Sequence, residues 1–523
     1  MLLSLQRSSI LTLWLFSSNT LAAVVSTNLN IVNKVIAPDG YARDTVLAGG
    51  TFPGPIIKGN KGDNFRINVK DSLNDTNMDI VTSVHWHGIF QHGGTNWADG
   101  AASINQCPII PGDSFLYNFS IPDQAGTFWY HSHFSNQYCD GLRGPLIVYD
   151  PKDPHANLYD VDDDSTVITL ADWYHYFSHD APAIPAPDSV LINGLGRYSN
   201  SPTPNSPLAV VNVQQGKRYR FRVVSISCDS NFIFSIDQHD LTVIEADGVN
   251  TQPFVVNSIQ IFAAQRYSIV LNANQPPANY WIRAQPDLGN TTFAGGLNSA
   301  ILRYAGAPNA DPTSKATSAT RLLLETDLHP LDQSPVPGPH RIGDPSVTTI
   351  NLDVFLSNST PRLFYVNNVT FQPPTIPVLL QILSGAKKPQ ELMPNGSVYG
   401  LERNKVVDLI IPGGATGGPH PVHLHGHAFH VLRSAGNSSY NFVNPVIRDT
   451  VNIGNASDEV TIRFVTDNPG PWFIHCHIDW HLTAGFAAVM AERVDEVAQD
   501  IHPSAAWDQL CPTFNNFDGP KGK

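Results

Sequence analysis

Four His-x-His pairs stand in the sequence: His85/His87, His131/His133, His423/His425 and His475/His477. Alternate residues on an extended strand share a face, so each pair can present two imidazoles to one point. One such pair is an everyday coincidence or part of a surface strand. Four, two near each end of the chain, suit a multinuclear metal site gathered between the N- and C-terminal parts. Cys476 sits between His475 and His477 and by the same alternation faces the opposite way. Its candidate partners are His420, just before the third pair, and His481, five residues on. Two His and a Cys thiolate form the ligand set of a blue-copper electron-transfer centre. Zinc is the competing metal, but structural zinc takes four tetrahedral ligands and does not call for further imidazoles nearby. Since Cys476 is bonded directly to two cluster histidines, an electron reaching the thiolate needs only backbone to reach the cluster. One-electron input with storage at several coppers suits dioxygen, whose reduction to water takes four electrons.

Such ligands need strands, and the chain repeats a strand pattern three times. Segments 59–69, 213–223 and 401–411 each alternate apolar and polar residues after a turn. Each is followed by a Trp-bearing strand: Trp129 leads to His131 and His133, Trp281 to Arg283 and Gln285, and Trp472 to His475 and His477. Period-two alternation punctuated by Gly, Pro, Asn and Asp predicts antiparallel β-sandwiches. We therefore expect an all-β chain of three domains, at 24–153, 154–305 and 306–523, after a leader at 1–23. The middle copy lacks histidines at the key positions and reads as a spacer holding its neighbours in place.

The composition agrees. The 523 residues correspond to about three domains at about 100–200 residues each. The 38 Gly and 41 Pro disfavour long helices, and the net charge of −14 excludes a basic nucleic-acid-binding face. Arg7, the apolar run 10–16 and the pair Ala22-Ala23 resemble a secretory signal. No stretch is apolar enough to span a bilayer. Eight Asn-x-Ser/Thr triplets, at Asn74, Asn118, Asn290, Asn358, Asn368, Asn395, Asn437 and Asn455, fit a secreted glycoprotein with N-linked glycans. Of five cysteines, Cys107, Cys139, Cys228 and Cys511 can pair in an oxidising compartment, in three possible ways.

The motifs resemble those of fungal laccases, within the multicopper oxidases. The first fingerprint runs from His85 through Trp86, His87 and Gly88 to Gln91, then Trp97-Ala98-Asp99-Gly100 and Gln106-Cys107-Pro108-Ile109. The second runs from Gly126 through Trp129, His131 and His133 to Tyr138-Cys139-Asp140-Gly141 and Pro145. The third is His420-Pro421-Val422-His423-Leu424-His425-Gly426-His427, and the fourth runs from Gly470 through Cys476 to His481 and on to Gly485-Phe486. The likeness covers essentially the whole chain after the leader. Gly93-Gly94 replaces a single glycine common in relatives, in a loop that carries no ligand.

The resemblance implies three cupredoxin-like Greek-key sandwiches and four copper ions: one type 1, one type 2 and two type 3. It implies His420, Cys476 and His481 as type 1 ligands, and His85 and His423 as type 2 ligands. His87, His131, His133, His425, His475 and His477 would hold the type 3 pair. Phe486 stands where several relatives have an axial Met and cannot coordinate. Disulfides Cys107–Cys511 and Cys139–Cys228 are implied as well. The expected reaction is one-electron oxidation of phenols or aromatic amines, lignin-type polyphenols included, with dioxygen reduced to water by a secreted monomer.

Asp188 matches a carboxylate that the family places opposite the type 1 imidazole edge, where it would accept the phenolic proton while His481 takes the electron. Asp99 and Asp479 match acids beside the trinuclear centre and would supply protons or orient ligands. His427 is expected to support the ligands or pack. His92, His155, His175, His179, His239, His329, His340, His430 and His502 read as surface or satisfied core residues. Ascorbate, bilirubin or ferrous-iron oxidation, and copper binding or pigment assembly with little turnover, are the competing functions.

Overall fold

The computed structural model describes residues 22–522 apart from 204 and 317. All but the last two residues of the expected leader lie outside the described residues.

The chain folds into paired β-sheets in three successive groups. The first group has two four-stranded sheets, one built on strands Val24–Ile36 and Asn64–Ser72, the other on Val84–His87, Gly126–Ser132 and Arg143–Tyr149. The second has a six-stranded and a five-stranded sheet over Val167–Tyr304, and the third has two five-stranded sheets from Thr348 to Glu492, joined by the short pair Val354–Leu356 and Phe364–Val366. Helices are short. The longest described, Ala505–Asn515, has 11 residues, and none is long and apolar enough to cross a membrane.

Alternation explains the half-buried strands. Along Asn64–Ser72, Phe65, Ile67 and Val69 turn to the core, while their neighbours face outward. Strands bearing histidine pairs are buried throughout, because both faces are covered. Trp86 enters an apolar cluster with Phe119 and Tyr130, so His85 and His87 are left to the opposite face. That cluster also takes in Phe371, Phe473 and Val489 from the C-terminal part, so the first and third groups share one continuous core.

The repeat extends to the register. In the first group His85 pairs with His131 across an antiparallel ladder, and in the third His423 pairs with His475. The equivalent ladder of the middle group pairs Ser235 with Arg283, and Arg283 binds Asp237 at 2.8 Å. The middle copy thus keeps the scaffold and replaces the imidazoles with an internal ion pair.

Candidate metal centres

Cys476, His420 and His481 converge on one face of the third group. The His420 Nδ1 lies 3.6 Å from Cys476 Sγ and 3.1 Å from His481 Nδ1, and His481 Nδ1 lies 3.7 Å from the same sulfur. His420 Nε2–H donates to Ala415 O at 3.1 Å, which leaves Nδ1 as the lone-pair nitrogen. Three donors at about 2.0–2.3 Å from one ion in a trigonal plane lie about 3.5–3.9 Å apart, close to the spacing here. Burial pushes His420 down to about 4 and the Cys476 thiol well above its usual range. A cation would reverse the thiol's preference by binding the thiolate. The Phe486 ring is buried 5.2 Å from that of His420, and Phe364 lies 4.7 Å from His481.

On the other face of the strand Gly470–Cys476, which ends in Cys476, the eight paired imidazoles meet. His425 Nδ1–H donates to Asp99 Oδ2 at 2.8 Å, and His475 Nδ1–H donates to Cys476 O at 2.9 Å. Their Nε2 atoms, both left with lone pairs, face each other at 3.1 Å. Nε2 of His85, His131, His133, His423 and His477 and Nδ1 of His87 are buried without a hydrogen-bond partner. For His85, His131 and His423 the opposite nitrogen is tied to the carbonyl of Asp99, Ser132 or Asp449, each at 2.8 Å. A tied Nδ1–H fixes the tautomer and aims the other nitrogen inward. Burial, then repulsion from neighbouring imidazoles, holds His131, His425 and His477 well below the usual histidine range and His475 at about 3. Buried lone pairs facing one another at this density are costly unless a cation satisfies them, so the donor set fits a cluster of metal ions.

Placement of the supporting groups depends on tight loops. Gly100 has φ +87, and a Cβ there would meet Val84 O at 1.8 Å. This close approach seats Asp99 beneath His85 and His425. Asp479 opens the helix Asp479–Thr483, and burial raises its carboxyl well above the usual range. His427 stands off the cluster because its strand ends at Leu424, and it turns to Glu492 at 3.0 Å. Asp188 lies on the segment leading into Ser189–Ile192, with a side chain 27% exposed. Disulfides join Cys107 to Cys511 and Cys139 to Cys228, and Cys476 is free.

Asp449 escapes sequence reasoning. It stands 3.4 Å from His87 and 3.6 Å from His423, and Arg266 of the middle group holds both its oxygens. Burial opposes its ionisation, but the charge and hydrogen bonds of Arg266 prevail and hold its carboxyl well below the usual range. No spacing in Arg448-Asp449-Thr450 signals this, because contacts come from strands far apart in sequence.

Comparison with known proteins is consistent across the chain. Three family models, each described as multicopper oxidase, match residues 30–153, 164–307 and 371–496. A laccase of Phlebia radiata is 57% identical over 515 residues, 98% of each chain, and a Trametes villosa laccase-5 is 59% identical over 500 residues, 94% of each. Among solved structures, the Botrytis aclada laccase superposes with a TM-score of 0.83 at 32% identity over 96% of this chain and 93% of its own. Fet3p, a multicopper oxidase that functions in iron import, gives 0.82 at 27% identity over 94% and 95%. With three matched domains in sequence and fungal relatives well above half identical along almost its full length, the chain belongs to the multicopper oxidase family and, within it, to the fungal laccases.

Proposed function

We propose that this laccase is a secreted, glycosylated, monomeric enzyme that oxidises phenols and aromatic amines, lignin-type polyphenols among them. It would use four coppers held by the first and third of three cupredoxin-like domains, at 24–153, 154–305 and 306–523, the middle one serving as a copper-free spacer. His420, Cys476 and His481 hold the type 1 ion. His85 and His423 hold the type 2 ion, and His87, His131, His133, His425, His475 and His477 hold the type 3 pair. When bound, copper supplies one-electron redox chemistry at the first site and dioxygen reduction at the second. The carrying observation is that two sets of facing imidazole nitrogens, at 3.1 Å for His425 and His475 and for His420 and His481, flank the strand Gly470–Cys476, which carries both His475 and Cys476.

The protein's own groups then have distinct work. His481 is the partly exposed edge of the first site and receives the substrate's electron. Asp188 accepts the hydroxyl proton, which lowers the cost of removing that electron. The peptide bonds on either side of Cys476 link the two sites. Asp99 orients His85 and His425, and Asp479 holds a proton close to the cluster. Burial of every cluster histidine excludes bulk water from the site where oxygen is reduced.

Metal analysis of the purified protein, with dioxygen uptake on a simple phenol, tests this reading. About four coppers per chain and uptake with phenol are expected. A zinc-dominated protein or one inert to phenols overturns it.

A further inference from the structure

His175 carries no metal-type spacing, yet it sits between two carboxylates. Its Nε2–H donates to Asp39 Oδ2 at 2.7 Å. The Asp39 side chain is wholly buried and has its oxygens fixed by Ser189 Oγ at 2.6 Å and the Tyr41 backbone N–H at 3.0 Å. On the other side of the ring, Nδ1 faces Asp188 Oδ1 at 3.8 Å. The second oxygen of Asp188 accepts the backbone N–H of His175 at 2.8 Å, so carboxylate and imidazole are anchored to each other. Tyr41 stacks on the imidazole at 3.9 Å and Tyr198 meets it edge-on at 4.5 Å. The titratable groups facing the ring are therefore Asp39, Asp188 and these two phenols.

Its location ties this array to the electron-receiving edge. Tyr174, the residue before His175, packs edge-on against Trp480 at 5.0 Å, and Trp480 donates its indole N–H to Ser178 O at 2.9 Å. Trp480 immediately precedes His481. The 174–178 segment is thus clamped to the helix that carries His481, with Asp188 bonded to the same segment.

We propose that His175 is a positioning residue for phenol oxidation and the acceptor behind Asp188, taking on from Asp188 the proton released by the substrate. The inference rests on the reading of Asp188 as the phenol's base. As the phenol's O–H bond breaks, its electron leaves toward His481 and its proton goes to the Asp188 carboxylate. Rotation of that carboxyl closes the 3.8 Å gap to Nδ1, the only ring nitrogen with a lone pair while Nε2–H is held by Asp39. The proton moves to Nδ1, Asp188 is again a carboxylate, and the imidazolium is stabilised by Asp39 until it releases the proton to solvent. The phenoxyl radical departs with one electron and one proton fewer. A buried carboxylate that fixes an imidazole's tautomer and stabilises its cation is a general solution for moving protons. Although burial pushes Asp39 upward, the hydrogen bonds from His175, Ser189 and Tyr41 prevail and keep its carboxyl below the usual range, so it remains an anion.

Profiles of kcat/KM against pH separate the possibilities, using a simple phenol and ferrocyanide, which has no proton to give. In H175Q the Asp188 carboxyl has no acceptor to pass its proton to, so kcat/KM for phenol should fall while the ferrocyanide profile keeps its shape. The phenol-to-ferrocyanide ratio should fall about tenfold, with KM for the phenol within about twofold, since His175 does not touch substrate. D39N keeps an acceptor for Nε2–H but removes the charge that stabilises the imidazolium, and should lower the phenol-to-ferrocyanide ratio by less. It serves if H175Q does not fold. An altered phenol profile in D188N with unchanged profiles in H175Q and D39N overturns the relay and leaves Asp188 as the base. Unchanged phenol profiles in all three variants overturn both readings. Equal losses on phenol and ferrocyanide in H175Q and D39N also overturn the relay, because they show that the array only shapes the loop.

Discussion

Arg266 of the middle sandwich donates two parallel hydrogen bonds to Asp449, at 2.8 and 2.7 Å, and Asp449 in turn stands against His87 and His423. The copy without the paired histidines therefore reaches the groups that support the cluster. Asp247 pairs with Arg448 at 2.9 Å, so two buried ion pairs, Arg266–Asp449 and Asp247–Arg448, fasten the middle group to the third. Breaking one partner of such a pair strands a buried charge and costs about 3–5 kcal/mol.

Arg266→Met and Asp449→Asn should each lower the unfolding free energy at neutral pH by that amount, measured in denaturant. The pH dependence has a definite sign. The folded-state pKa of Asp449 is depressed, so the pair contributes fully above the unfolded value of about 3.9 and is lost as pH falls through the lower folded value. Below about pH 4 the gap between wild type and Asp449→Asn should therefore narrow progressively. A gap independent of pH would assign the loss to packing.

Cys476 is the free cysteine among the described residues, and its sulfur is fully buried against His420 and His481. Cys476→Ser should abolish the blue absorption and phenol oxidation, with copper content falling from about four to about three per chain. A variant that remains blue would reject the ligand assignment.

Phe486 places an apolar ring 5.2 Å from His420, with Phe364 packed behind it at 5.3 Å. Replacing it with Met offers a thioether donor that favours the cupric state, so the potential should drop. Each 59 mV corresponds to about a tenfold change in equilibrium for one electron. Phenols that are hardest to oxidise should slow the most. Redox titration of the blue band checks this, and an unchanged or higher potential with copper intact counts against an axial role.

The Cys107–Cys511 bond closes 404 residues of sequence and ties the helix Ala505–Asn515 to the first sandwich, where Trp507 donates to Asn105 O at 2.9 Å. Removing it with the double change Cys107→Ala and Cys511→Ala should cost up to about 6 kcal/mol by the chain-entropy argument. The loss should appear in thermal unfolding, while the blue band at room temperature persists.

Much of the site was legible because it obeys local rules. Strand alternation alone assigns His475 and His477 to one face and Cys476 to the other, whereas the ladders His85–His131 and His423–His475 are set by which strands pair. The repeat of Trp129, Trp281 and Trp472 likewise exposes three sandwiches, since each needs the same buried strand. What alternation could not reach is whatever depends on two segments meeting. Asp449 and Arg266 are 183 positions apart, and Asp39 and His175 are 136. Neither pair has a spacing to betray it, and each side chain alone looks like an ordinary surface charge or a satisfied histidine. Folding buries them, and burial turns an indifferent residue into one that must find a partner, because an unpaired charge or lone pair away from water is costly. The paired imidazoles of this protein are thus written in periodicity along the chain, whereas partners such as Asp449 for Arg266 and Asp39 for His175 are chosen by which distant segments the core brings face to face.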